Sequence, residues 1–172
     1  SSASLLRICD EIVRTSDTYG AKVIVNDRVD LALMCGAAGV HLGQEDLRPT
    51  VARKQLGKDA LIGLSTHLPV QVELALQAPI NYVAIGPVFE TSTKPTSYKP
   101  LGLEGVHLAA KKVHKSKLPI VAIGGISLEQ ARGVFESGAD AVAIISDVFV
   151  GNDPADRVRK YLDLFRPSPL PR

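Results

Sequence analysis

Cysteine is scarce in this 172-residue chain, with only Cys9 and Cys35 present. Two residues without metal-ligand spacing exclude a disulfide framework and a cysteine metal site, and they fit reduced thiols in a cytoplasmic protein. Charge of one sign is equally lacking. Twenty Lys and Arg against eighteen Asp and Glu leave a formal charge of +2. That is too little to argue for nucleic-acid or membrane-surface binding. No apolar run approaches the length of a membrane span, and the residues from Ser1 onward carry no secretory signal pattern. What is there is ordinary for a soluble globular protein. Apolar residues make up 45% and charged residues 22%, in a chain long enough for one domain with a real core.

Short apolar runs alternate with helical periodicity throughout. The spacing predicts helices over 5–18, 29–35, 50–56, 70–77, 103–114, 128–137 and 154–165. Between them lie strand-like runs at 21–25, 39–42, 61–64, 82–85, 119–123 and 141–145. Such alternation implies parallel βαβ units, and runs that are apolar throughout imply strands buried on both faces. GAAGV from Gly36 and GADAV from Gly138 read as recurring helix-to-strand turns, with glycine supplying a left-handed residue.

Polar residues cluster just past the strands: Asn26 and Asp27, Gln44 to Asp46, Ser65 to His67, the loop GPVFETSTKP from Gly86, Gly124 and Gly125, and Ser146. In a (β/α)8 barrel all such points fall on the rim that carries the active site. An open doubly wound sheet would also gather its strand ends. The barrel is the favoured α/β reading, as a single domain over 1–165 with a fraying tail at 166–172. The pattern supplies six strands and opens on a helix, so two strands, roughly fifty residues of an eight-strand barrel, would precede Ser1.

Three groups carry chemistry. Asp27 and Asp46, at consecutive strand ends, are suited to a divalent cation such as Mg2+, which takes a few carboxylates and completes its shell with water and phosphate. Each is equally suited to capping the helix that follows it. Thr91, Ser92 and Thr93 offer hydroxyls and backbone amides to an anion, and Lys94 adds a mobile charge. A solvated surface loop is the alternative. Gly125, Ile145 and Ser146 match the backbone phosphate site that barrels build after their last strands, or else form a tight turn and a plain helix cap. His67 is placed to act as acid or base or to bind a substrate edge. His41, inside GVHL, reads as a packed strand histidine, and His107 and His114 as surface residues.

Taken in order, NDRVDLA, GVHLGQEDL, GLSTH, GPVFETSTKP, PLGLEG, PIVAIGGI and GADAVAIIS resemble the strand-end motifs of the thiamine-phosphate synthase family. The resemblance runs from Ala21 to Phe149. It implies a (β/α)8 barrel that joins hydroxymethylpyrimidine diphosphate to hydroxyethylthiazole phosphate and releases pyrophosphate. Its partners would be small phosphorylated molecules, not nucleic acid or membranes. By the same resemblance, Asp27 and Asp46 would bind magnesium, and Asn26, Ser65 and Lys94 the pyrimidine diphosphate. Ser65 and Lys94 would be catalytic. Thr91, Ser92, Thr93, Gly125, Ile145 and Ser146 would hold the thiazole phosphate. A family motif of the type Gln-Leu-Arg-Glu-Lys, which also binds the diphosphate, should lie just ahead of Ser1. Two other readings stay open: a thiazole tautomerase-like isomerase, for which His67 would matter most, and a ligand-binding module without catalysis.

Overall fold

A computed structural model describes residues 1–94 and 96–165. The expected tail at 166–172 lies outside the described residues. The chain divides into two compact units, Ser1–Ala84 and the residues from Ile85 onward.

In the first unit, α1 (Ser2–Asp17) leads into β1 (Ile24–Asn26), α2 (Val29–Met34), β2 (Gly39–Leu42), α3 (Pro49–Leu56), β3 (Leu61–Thr66), α4 (Pro69–Ala75) and β4 (Tyr82–Ile85). β1, β2 and β3 are parallel, with Ile24 opposite Gly39 and His41 opposite Gly63. β4 follows in the same order, so the strands stand side by side as they occur in the chain, without the reversal of a doubly wound sheet. The β-branched and leucine runs explain the core: Val40, Leu42, Ile62 and Val83 are fully buried, with Val29 and Val72 packed from the helices. α1 departs from that pattern. It has no buried residue, and Leu5, Ile8 and Ile12 are about half exposed.

In the second unit, α5 (Gly102–Val113) is followed by β5 (Ile120–Ile123), α6 (Leu128–Glu136), β6 (Ala141–Ala143) and α7 (Pro154–Phe165). β5 and β6 are parallel, with Val121 opposite Ala141. Ile120, Ala122, Val106, Val113 and Val134 form this core. β6 is shorter than expected and not buried on both faces: Ala141 is exposed, and Ile144 and Ile145 lie beyond the strand. The backbone turns at Ile145 into a 3-10 turn over Ser146–Phe149, which ends the ladder. Gly36 and Gly138 take positive φ after α2 and α6, as the recurring turns predict. None of the described helices is long and apolar enough to cross a membrane.

Candidate functional site

Asn26 and Asp27 end β1 in the open, both exposed. Asp27 sits in the left-handed region at φ 64, which a short polar side chain tolerates, and its N–H donates to the His41 carbonyl at 2.8 Å. It does not cap α2. Arg28 holds the cap position without a side-chain capping bond, and its guanidinium pairs with the Asp30 carboxylate in the first turn at 2.6 Å. Asp46 is no helix cap either, since Arg48 precedes α3. One Asp46 oxygen accepts from the Gly43 N–H at 2.7 Å, closing the turn after β2. The Asp46 charge is felt by the His41 imidazole. Asp27 is thus tied to β2 through its backbone, and Asp46 to the turn after β2 through its carboxylate. Their donor set is hard oxygen, which suits magnesium, and among the described residues no group of three or more His, Cys, Asp or Glu assembles into a cage.

His41 is not merely packed. Its Nε2 lies 2.7 Å from Ser65 Oγ and its Nδ1 lies 2.9 Å from the Tyr82 hydroxyl. Burial pushes its pKa down against the opposing pull of Asp46. Burial also pushes the Tyr82 phenol up. The Gln44 side-chain amide donates to the Ser65 carbonyl at 2.6 Å, fixing that strand end from the β2 side. The next residue, Thr66, is fully buried and donates to the Ala84 carbonyl at 2.8 Å. His67 is half-buried, and its backbone N–H donates to the Gln71 side chain at 2.7 Å.

In the second unit, the loop GPVFETSTKP starts as an extension of the sheet. Val88 and Phe89 donate to the carbonyls of Ile123 and Gly124, each at 3.0 Å. The returning chain closes the loop's base, with Leu101 and Gly102 donating to Pro87 and Val88, each at 2.9 Å. Beyond that base Thr91 is half-buried, and Ser92, Thr93 and Lys94 are exposed. The Thr91 hydroxyl accepts from the Thr93 N–H at 3.3 Å, which curls the loop at its hydroxyl run. Gly125 has φ 66, and a Cβ there would stand 2.2 Å from the Glu90 carbonyl oxygen. Glycine is what allows this turn to lie against the loop. Ile145 and Ser146 are exposed at the start of the 3-10 turn.

That turn is anchored by a group the sequence did not reveal. Asp147 accepts from Arg157 Nε and a terminal nitrogen at 2.9 Å each, from the Tyr161 hydroxyl, and from the Leu128 N–H at 3.2 Å. Glu129 meets the same guanidinium at 3.3 Å. Burial pushes the Asp147 carboxyl up, but the hydrogen bonds from Arg157 and Tyr161 and the Arg157 charge outweigh it and hold the pKa low. A nearby groove of about 440 Å³, lined mainly by apolar groups such as Phe135, Val142, Ile144 and Val158, contains none of the candidate residues. His114 is exposed as expected and pairs with Asp140 at 2.8 Å.

An α/β chain with hydroxyl, lysine and glycine turns beyond its strands has the features of an enzyme acting on small phosphorylated molecules. The family profile for thiamine monophosphate synthase matches residues 1–148, and the chain belongs to that family. The thiamine-phosphate synthase of Caldicellulosiruptor saccharolyticus is 41% identical over 158 residues, covering 92% of this chain and 70% of that one. The thiamine-phosphate synthase of Koribacter versatilis is 42% identical over 142 residues, covering 83% and 65%. Among solved structures, thiamine phosphate pyrophosphorylase from Pyrococcus furiosus matches with a TM-score of 0.86 at 31% identity, over 95% of this chain and 77% of that one.

Proposed function

We propose that this protein is a thiamine-phosphate synthase. It transfers the hydroxymethylpyrimidine group from its diphosphate to hydroxyethylthiazole phosphate, giving thiamine phosphate and pyrophosphate. The observation that carries the reading is the family match over residues 1–148, which includes every strand-end residue named above. A (β/α)8 barrel is the architecture in which this activity is proposed to run, and the likeness to the Pyrococcus furiosus structure supports it.

In this reading Asn26, Ser65 and Lys94, with the two aspartates, serve the diphosphate. Asn26 and the Ser65 hydroxyl bind its oxygens, and Asp27 and Asp46 would hold Mg2+. The cation, when bound, neutralises negative charge on the diphosphate. Thr91, Ser92 and Thr93 contact the thiazole phosphate with hydroxyls and amides, and Gly125, Ile145 and Ser146 complete its binding through backbone and hydroxyl. The C–O bond to the diphosphate breaks first, leaving a pyrimidine-stabilised carbocation, and the thiazole nitrogen then supplies the electron pair for the new C–N bond. Lys94 offsets the charge that grows on the leaving diphosphate, which is where preorganised charge accelerates such a step most. Nitrogen attack releases no proton, so no general base is required.

The test supplies the protein with both substrates and magnesium and follows thiamine phosphate by mass spectrometry. Product that requires both substrates supports the transferase. Thiazole isomerisation without transfer would replace this reading with a tautomerase-like isomerase, and binding without either reaction would replace it with a ligand-binding module.

A further inference from the structure

Tyr82, His41 and Ser65 come from three different strands of the first unit, and a missing side chain lets them meet. His41 on β2 stands opposite Gly63 on β3. A Cβ at Gly63 would lie 2.0 Å from the Tyr82 ring, so the phenol of β4 lies across the space that glycine leaves. There the two rings stack with centroids 5.6 Å apart. Ser65, two residues beyond Gly63, projects from the same face of β3. The result is a chain of three polar groups, phenol to imidazole to hydroxyl, at 2.9 and 2.7 Å.

A neutral imidazole donates from one nitrogen and accepts at the other, so its two bonds are linked. The phenol is the better donor of the Tyr82–His41 pair, because its lone pair is partly delocalised into the ring. If Tyr82 donates to Nδ1, the proton of His41 must sit on Nε2 and point at Ser65 Oγ. Ser65 then accepts from His41 and keeps its own proton free. With the opposite tautomer Ser65 would spend its proton on Nε2 and turn lone pairs toward any ligand, which a phosphate oxygen would not accept.

We propose that His41 and Tyr82 are positioning residues that keep the Ser65 proton available as a donor to an anionic oxygen of a bound diphosphate. The diphosphate half of this proposal rests on the role given to Ser65 above; the relay itself does not. Gln44 supports the arrangement by holding the Ser65 backbone at 2.6 Å.

The experiment uses the full chain with 15N-labelled histidine, of which there are four, and His41→Gln to assign the His41 signals. The expected spectrum has His41 protonated at Nε2, changing to a tautomer mixture in Tyr82→Phe. Inorganic pyrophosphate with magnesium is then titrated calorimetrically. Tyr82→Phe should weaken it about fivefold, the effect of misdirecting one hydrogen bond. His41→Gln, whose amide nitrogen can stand in for Nε2–H, should stay within about twofold of the wild type. In a Ser65→Ala background Tyr82→Phe should have no further effect, since a relay has nothing left to orient. A wild-type His41 protonated at Nδ1 would overturn the proposal, as would an equal Tyr82→Phe loss with and without Ser65. Failure of the wild type to bind pyrophosphate, with the Nε2 tautomer in place, would instead overturn the diphosphate role of Ser65.

Discussion

Arg157 grips Asp147 from two nitrogens at 2.9 Å, and the two side chains are only 15% and 12% exposed. The pair ties α7 to the turn that begins at Ser146. Tyr161→Phe removes one hydrogen bond to that carboxylate and should cost about 1–2 kcal/mol in a denaturant titration. Arg157→Met leaves a shielded carboxylate without its cation and should lower the melting temperature further than Tyr161→Phe does. Because the folded Asp147 carboxyl lies below its ordinary value of 3.8, the pair's contribution is full above that pH. It is lost as pH falls through the lower, folded value. Melting curves between neutral and strongly acid pH should therefore show an acid loss that is smaller in Asp147→Asn.

Asp27→Asn separates metal binding from folding. Asparagine accepts the left-handed backbone at φ 64 and keeps a side-chain oxygen, so the variant should still fold. The magnesium needed for half-maximal rate should rise by about tenfold or more, as expected when one charged contact is lost. Unchanged magnesium dependence in a correctly folded variant would remove Asp27 from the ligand set.

Lys94→Ala addresses charge on the leaving group. Its rate constant at saturation should fall by roughly a hundredfold or more, while thiazole phosphate affinity stays within about threefold. Equal losses in both would make Lys94 an ordinary binding residue. Single-turnover kinetics with an equilibrium titration of the acceptor distinguishes the two.

Gly125→Ala forces a Cβ to within 2.2 Å of the Glu90 carbonyl at a positive φ. The loop must move, and its hydroxyl run with it. The KM for thiazole phosphate should rise about tenfold, as for one lost charged hydrogen bond, with less change in the KM for the pyrimidine diphosphate. An unaltered acceptor KM would separate Gly125 from that phosphate.

The strands and helices were legible because their apolar period is local. β2, β4 and α7 lie where the pattern put them, and β3 and β6 differ only at their ends. The places of Asp27 just past β1 and of Asp46 in the turn after β2 also followed from strand order. The polar partners did not. His41 looked like core because its neighbours in GVHL are apolar, and nothing local says that Tyr82, 41 residues away, reaches its ring. A glycine in the middle of β3 was the available sign, since strands spend glycine where another group approaches closely. The choice between capping and its alternative for Asp27 was equally illegible, because it turned on one backbone dihedral. Asp147 and Arg157 are ten residues apart, a spacing that no helix or strand period pairs.

The bare backbone at Gly63 has an evolutionary consequence. Residues 41, 63 and 82 share one small volume, so the effect of an exchange at any of them is set by the other two. A bulkier residue at 63 is tolerable only where a smaller ring replaces Tyr82, and without that phenol His41 loses the partner that orients it. Substitutions at the three positions should be non-additive, and sequence drift through this part of the chain should move them as a unit or leave them alone.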